Sequence, residues 1–316
     1  MKTCKRFIQL DGGIKVAILP GYVQIKEVGP RDGLQNEKKW ISTADKVAWI
    51  NMLSESGLSE IEYTSFVNPK MIPALSDARE VGSKIKRNPK VLYSALVPNM
   101  KGLEYALESG IDGASVFMSA SERHNQKNIN KTIDGTFLVL DEVIKEAKNA
   151  GKRVTGYIST IFDCPYEGKI SPDQVLRVCE RLLESGVDDL SLGDTIGTAV
   201  PIQVEQLLEI LMKYYPAEKL ILHFHDTRGM AIANIMTSMH YGINRFDSTV
   251  GGLGGCPYAP GAAGNVATND VLYLLHGLEI ETGIEEHKIH DAGLYIQNKL
   301  GKILPSRSLA YFANAQ

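Results

Sequence analysis

Short β-branched, apolar runs alternate along the chain with longer stretches in which apolar residues recur at helical spacing. The first run, residues 23–28, ends at the turn Gly29-Pro30-Arg31-Asp32-Gly33. Ser42 and Thr43 then offer an N-cap for a helix with Val47, Ile50 and Leu53 on one face. Glu60–Ser65 reads as a second strand, with a helix after Ser76. Residues 91–96 form the third, closed by Val97-Pro98-Asn99 ahead of a short helix ending at Gly110. Residues 113–118 are the fourth, and 119–131 read as a long polar loop before a helix that runs to Ala150. The fifth and sixth strands fall at 154–160 and 189–192, the latter running into Gly193-Asp194-Thr195. The seventh begins at Lys219-Leu220-Ile221 and ends in Leu222-His223-Phe224-His225-Asp226. The eighth covers 246–250 and leads through a glycine-rich loop to a helix from about Asn265 to His276. Helices are also expected after Ser171-Pro172, where proline suits the first helical turn, after Pro201 and after Gly229.

Eight strand–helix units in succession predict a closed (β/α)8 TIM barrel over about residues 22–277. An open doubly wound sheet is the alternative, but no G-x-G-x-x-G follows the first strand. The strings Leu53-Ser54-Glu55-Ser56-Gly57 and Leu183-Glu184-Ser185-Gly186 read as helix stops before the next strand. Residues from about 284 to 316 exceed a minimal barrel and read as additional C-terminal helices covering it. No linker or low-complexity segment interrupts the chain, so a single catalytic domain over 1–316 is expected.

Composition narrows the function classes. At 316 residues, 44% hydrophobic and 22% charged, the chain can bury a large core as an ordinary globular protein. A net charge of −3 gives no overall attraction to nucleic acid or to an anionic membrane, and no apolar run nears the roughly 20 residues of a span. The first 21 residues lack the apolar core and cleavage pattern of a signal peptide. Cys4, Cys164, Cys179 and Cys256 are widely spaced with no C-x-x-C pair, which predicts reduced thiols and a cytoplasmic location.

Candidate chemistry gathers at the strand ends, where such barrels keep their active sites. His223 and His225, two apart on a strand, share a face and can each give a nitrogen to one cation. In chain order the strand ends supply Arg31-Asp32, Glu62, Ser119, Thr160, Asp194, His223 and His225, then the glycine-rich loop with Cys256 and Asn265. A carboxylate, two imidazoles and a carboxamide oxygen make a mixed nitrogen–oxygen set suited to Mg²⁺ or Mn²⁺. Arg31 can pair with Asp32 or face an oxyanion. The loop Gly251–Asn265, with Cys256 between Gly255 and Pro257, lacks the lysine and hydroxyl of a phosphate-binding loop and suits a mobile lid carrying a proton donor.

Three strings together resemble the 3-hydroxy-3-methylglutaryl-CoA lyase family. They are Glu27-Val28-Gly29-Pro30-Arg31-Asp32-Gly33-Leu34-Gln35-Asn36-Glu37, Leu192-Gly193-Asp194-Thr195-Ile196-Gly197 and the Cys256 loop. The resemblance runs from about Val23 to Phe312 and includes Pro305-Ser306-Arg307. It implies cleavage of 3-hydroxy-3-methylglutaryl-CoA to acetyl-CoA and acetoacetate, with metal ligands at Asp32, His223, His225 and Asn265. Arg31 would then stabilise the departing enolate, Cys256 would serve on the lid, and Glu62, Lys38 and Asp194 would support the site. Asp32 and His223 are both candidates for the base, and the basic loop with Arg123, Lys127 and Lys131 reads either as a contact for the CoA phosphates or as a solvated polar loop. A homodimer is the default assembly. One departure stands out: Ala267-Thr268-Asn269-Asp270 replaces an expected Ala-Thr-Glu-Asp. Claisen-type synthases of the isopropylmalate or homocitrate kind use a similar barrel in the bond-forming direction, and a lyase for a related 3-hydroxyacyl-CoA would share this core. A binding protein that has lost catalysis is disfavoured by the presence of Arg31, Asp32 and Cys256.

Overall fold

The computed structural model describes residues 4–10, 13–255 and 264–315, with side chains from Leu19 onward. Its centre is a closed barrel of parallel strands in chain order. These are β1 (Gln24–Glu27), β2 (Glu60–Ser65), β3 (Leu92–Leu96), β4 (Gly113–Ser119), β5 (Arg153–Ser159), β6 (Asp189–Asp194), β7 (Leu220–Phe224) and β8 (Arg245–Ser248). With helices between successive strands, the fold is a (β/α)8 TIM barrel. Closure pairs β8 with β1, in the register Arg245↔Gln24, Phe246↔Ile25, Asp247↔Lys26 and Ser248↔Glu27.

The helical layer comprises α1 (Thr43–Ser54), α2 (Ala78–Lys84), α3 (Met100–Glu108), α4 (Glu122–Ile129), α5 (Ile133–Asn149), α6 (Pro172–Glu184), α7 (Pro201–Leu211), α8 (Ala231–His240) and α9 (Thr268–Gly277). Ser42, Thr132 and Ser171 cap their helices by accepting from the backbone N–H three residues on. Pro172 and Pro201 sit in first turns, where their missing N–H costs no hydrogen bond. The main core lies between strands and helices, where Ile25, Ile61, Tyr63, Tyr93, Phe224 and Phe246 are buried with Trp49, Ile50 and Leu53. No helix among the described residues is long and apolar enough to cross a membrane.

Two segments differ from the sequence reading. The supposed polar loop 119–131 contains α4, although that helix has almost no apolar face to bury. Its stability comes from polar tethers. The Ser121 hydroxyl accepts from the His124 N–H at 3.0 Å, and buried Asn125 accepts from the Ser119 N–H while donating to the Lys131 carbonyl and the Thr136 hydroxyl. Asn130, at φ 59°, ends the helix in the left-handed region. The chain also begins with an antiparallel hairpin, Cys4–Leu10 against Gly13–Leu19, that the hydrophobic pattern did not single out.

After α9 come α10 (Glu286–Leu300) and α11 (Arg307–Ala315), which pack against it and against each other. Asp270, in the first turn of α9, holds the start of α11. Its carboxylate accepts from the Ser306 hydroxyl at 2.8 Å, the Ser308 N–H at 2.8 Å and the Arg307 N–H at 3.3 Å. Asp270→Ala removes this cap, which is worth about 1–2 kcal/mol. Amide hydrogen exchange should therefore accelerate in residues 304–315 while the barrel strands keep their protection.

Candidate metal centre and active site

The turn after β1 is wound so that three successive N–H groups, those of Arg31, Asp32 and Gly33, point at the Val28 carbonyl. This brings Asp32 over the barrel mouth. His223 lies within β7 and His225 just beyond it, where it forms an isolated antiparallel bridge with Asn265. Asp32, His223 and His225 each offer a ligand atom, and these atoms lie within 4.8 Å of one another. Asn265 joins them, since its amide nitrogen donates to Asp32 Oδ2 at 2.7 Å. Segments from opposite ends of the chain thus converge on one spot.

The electrostatics of the group are set by burial and close partners. Burial works against the Asp32 charge, but Arg31, His223, His225 and the Asn265 bond hold its pKa down at about 2. His225 is pushed down to about 4, by burial first and by His223 second, and so stands neutral with one ring-nitrogen lone pair to offer a cation. His223 is buried too, yet the hydrogen bond and charge of Asp247 raise its pKa. Asp247 Oδ2 lies 3.2 Å from His223 Nδ1, while His223 Nε2 lies 3.9 Å from Asp32 Oδ2. That carboxylate–imidazole pairing turns Nε2 toward the cluster.

The chemistry of the donors fits a divalent cation. Asn265 Oδ1 and His225 Nδ1 are buried without a hydrogen-bond partner among the described residues. An orphaned buried acceptor costs on the order of 1–3 kcal/mol, which coordination would remove. Charge gives the same answer. Lys26 and Arg31 face the carboxylates of Asp32, Glu60, Glu62 and Asp247, so with both imidazoles neutral, as ligands must be, two cations meet four anions, a formal charge of −2 that one divalent ion would balance.

Arg31 is clamped on both sides. Its Nε donates to Glu62 Oε2 and its Nη1 to Asp32 Oδ1, with the guanidinium 5.4 Å from the Tyr157 ring centroid. Burial disfavours its charge, but Glu62 and Asp32 more than compensate. Glu62 is fully buried and shared with Lys26, whose Nζ stands 3.6 Å from Glu62 Oε1 and 3.1 Å from Glu60 Oε1. Lys26, Asp247 and Tyr157 were not singled out from the sequence. The signal was an ionisable residue at mid-strand in a parallel sheet, where both faces are normally apolar.

The remaining strand-end residues take other positions. Ser119 and Thr160 hydrogen-bond to each other at 2.7 Å, and Thr160 is held at φ 58° with its N–H donating to Thr195. Asp194 turns its carboxylate to the N–H groups of Thr198 and Ala199, and burial raises its pKa to about 6. Lys38, Arg123 and Lys127 are exposed, and among the described residues no hydrogen bond or ion pair ties them to the cluster. The Arg123 guanidinium lies 3.4 Å from the Tyr166 carbonyl instead. Cys256 lies outside the described residues.

A family model described as HMGL-like matches residues 22–296. The hydroxymethylglutaryl-CoA lyase of Bacillus subtilis is 54% identical over 296 residues, spanning 94% of this chain and 99% of its own. A Pseudomonas aeruginosa protein named 3-hydroxy-3-isohexenylglutaryl-CoA/hydroxymethylglutaryl-CoA lyase is 49% identical over 290 residues, 92% of this chain and 97% of its own. Among solved structures, the Bacillus subtilis lyase superposes with a TM-score of 0.93 over 93% of this chain and 99% of that one. An Acinetobacter baumannii HMG-CoA lyase in complex with coenzyme A and 3-methylmalate gives 0.88 at 38% identity, over 92% and 95%. The carboxyl transferase domain of Rhizobium etli pyruvate carboxylase, at 16% identity and a TM-score of 0.68, shares the fold alone.

If the four donors form one site, His225→Ala should abolish tight Mn²⁺ binding measured by isothermal titration while the circular dichroism spectrum stays unchanged. Wild-type affinity in that variant would remove His225 from the ligand set.

Proposed function

This chain belongs to the HMGL-like family of divalent-metal-dependent lyases, and from that premise we propose that it cleaves 3-hydroxy-3-methylglutaryl-CoA to acetyl-CoA and acetoacetate. The observation that carries the reading is the Asp32–His223–His225 cluster with Arg31 locked beside it by Glu62. Asp32, His223, His225 and Asn265 would hold the cation, which we take to be Mg²⁺ or Mn²⁺ from the mixed nitrogen–oxygen donor set without a thiolate. When bound, it supplies Lewis-acid polarisation of substrate oxygen.

The reaction breaks the bond between the tertiary alcohol carbon and the α-carbon of the thioester. The alcohol gives up its proton, its oxygen becomes the ketone of acetoacetate, and the bonding electrons pass to the α-carbon as the enolate of acetyl-CoA. Arg31 is suited to hold that enolate. The bonds to Glu62 and Asp32 fix the plane of the guanidinium and leave further N–H groups for a ligand. Asp32 and His223 are the candidates we assign to take the alcohol proton. The α-carbon finally takes a proton, a role we assign to the Cys256 thiol on the glycine-rich loop. Lys38 and Asp194 are assigned to the substrate. Arg123 and Lys127, four residues apart on α4, are assigned to the CoA phosphates. The buried free thiols of Cys164 and Cys179 suit a reducing cytoplasm, and a homodimer completes the proposal.

The direct test is to follow loss of 3-hydroxy-3-methylglutaryl-CoA and appearance of acetoacetate with added Mg²⁺ and with EDTA. Metal-dependent turnover supports the proposal. Its absence, with condensation of acetyl-CoA and a 2-oxo acid in its place, would overturn it.

Arg31→Met should cut turnover by about 10²–10³ while changing the Michaelis constant far less, because the charge it answers develops only as the bond breaks. A variant that mainly raised the Michaelis constant would make Arg31 an anchor for bound substrate. Cys256→Ser should retain Mn²⁺ and lose most turnover, a hydroxyl being a much weaker acid, and substrate should shield Cys256 from alkylation as mapped by mass spectrometry. Near wild-type turnover in Cys256→Ser would exclude the thiol as proton source.

A further inference from the structure

Alternation along β1 sends Lys26 into the barrel and Glu27 the other way, toward the helical layer. Glu27 is fully buried, and no cation pairs with it among the described residues. Three donors meet it instead. Oε1 accepts from the Gly29 N–H and the Val250 N–H, both at 2.9 Å, and Oε2 accepts from the Thr268 hydroxyl at 2.7 Å. Burial outweighs these bonds and raises its pKa to about 7. A carboxylate in such a place is costly, so its position calls for an account.

Each donor belongs to a segment that carries part of the site. Gly29 opens the turn that presents Arg31 and Asp32. Val250 opens the turn after β8, in which Thr249 Oγ1 donates to the Leu253 carbonyl at 2.7 Å. That carbonyl lies 3.4 Å from the Asn265 amide nitrogen, the same nitrogen that donates to Asp32. Thr268 stands at the start of α9, three residues beyond Asn265, and is tied to Ser248 of β8 at 2.7 Å. The packing leaves little slack. A Cβ on Gly29 would lie 2.5 Å from Glu27 Oε1, and one on Gly254 would lie 2.8 Å from the Asn265 amide nitrogen.

We propose that Glu27 is a positioning residue, whose buried carboxylate sets the spacing of Asp32 and Asn265 by fastening the turn after β1 to the segments on either side of the glycine-rich loop. The proposal rests on the metal site put forward above. Glu27 touches neither substrate nor cation and acts through Gly29, Val250 and Thr268. What matters is its pattern of acceptors rather than its charge. A glutamine could still accept from Gly29 and Val250 and could donate to the Thr268 oxygen, which would then donate to Ser248. A methionine of similar length offers none of these bonds.

The test is Mn²⁺ titration calorimetry on the full-length wild type, Glu27→Gln, Glu27→Met and Thr268→Val, with His225→Ala as reference and thermal midpoints recorded in EDTA. Loss of support around metal ligands typically costs about 10–100-fold in affinity. Glu27→Met should weaken Mn²⁺ binding by that order, Thr268→Val by less, and Glu27→Gln should stay near wild type. A fall in thermal midpoint with Mn²⁺ affinity intact in Glu27→Met would reduce Glu27 to a fold-stabilising role and overturn the proposal. Glu27→Gln as weak as Glu27→Met would also overturn it, by making the charge decisive. If Glu27→Met does not fold, wild-type affinity in Thr268→Val overturns it instead. Wild-type uptake of Mn²⁺ that does not depend on His225 would overturn the metal reading, and this proposal with it.

Discussion

Closure of the barrel by β8 on β1 is the constraint from which the site follows. The register Asp247↔Lys26 sets a carboxylate beside an ammonium inside the barrel, and Ser248↔Glu27 sets the strand ends level at the mouth. From those ends depart the two turns that carry Asp32 on one side and lead to Asn265 on the other. A slip of β1 by one residue would turn Lys26 into the apolar helical layer and Ile25 into the barrel, and a slip of β8 would do the same to Asp247 and Phe246. The buried partners that Lys26 and Asp247 would leave are Glu60, 3.1 Å from Lys26 Nζ, and His223, 3.2 Å from Asp247 Oδ2, and removing one partner from such a buried pair costs about 3–5 kcal/mol. The charges therefore help to specify the same register that places the ligands.

The interior is also polarised along its length. Near the N-terminal ends of the strands, Asp189 is shared by Arg153 and Arg245 in pairs 2.6 Å apart, so the carboxylate there is fully answered. Toward the mouth the carboxylates outnumber their partners, and one polar atom each of Glu62, Tyr157, Asp247 and Asn265 has no hydrogen bond among the described residues. Burial and the neighbouring carboxylates push the Tyr157 phenol well above its usual pKa, so it stands as a neutral donor facing anions. Unpaired atoms on ionisable and amide groups around the Asp32–His223–His225 cluster mark where a ligand is expected, since buried polar groups are nearly always paired. The same asymmetry assigns stability to one face of the barrel and chemistry to the other.

Much of this was legible in the sequence. Eight β-branched runs separated by amphipathic ones announced the barrel, and His223 with His225 announced a cation site because a strand gives i and i+2 a common face. The contributions of Lys26, Asp247 and Glu27 were not legible, because each depends on strand register, a tertiary fact that no local pattern encodes. The helix α4 was missed for a related reason. Glu122–Ile129 has no apolar stripe, and its order comes from Asn125 reaching Ser119, Lys131 and Thr136. Lys38, Arg123 and Lys127 are exposed, and neither periodicity nor the geometry of the chain alone ties such side chains to a substrate.

Asn269 stands where the sequence resemblance led to an expected glutamate, and its contacts suit an amide. Its carbonyl oxygen accepts from the Gly251 N–H at 2.7 Å, and its amide nitrogen faces His290 Nδ1 at 2.9 Å. A glutamate could accept the first bond but could not donate the second. With Asn269 donating, His290 Nδ1 must be the acceptor and its proton sits on Nε2, which lies 3.4 Å from Glu286 Oε1. The same ring stacks on Phe312 at 4.4 Å, and the Ser306 N–H donates to the Gly251 carbonyl. The turn that opens the glycine-rich loop is thereby held through Val250 by Glu27 and through Gly251 by Asn269 and the approach to α11. An amide at position 269 keeps an acceptor on Gly251 without adding a second buried carboxylate to the turn that Glu27 holds at Val250, and it ties the C-terminal helices to the strand end from which the site is built.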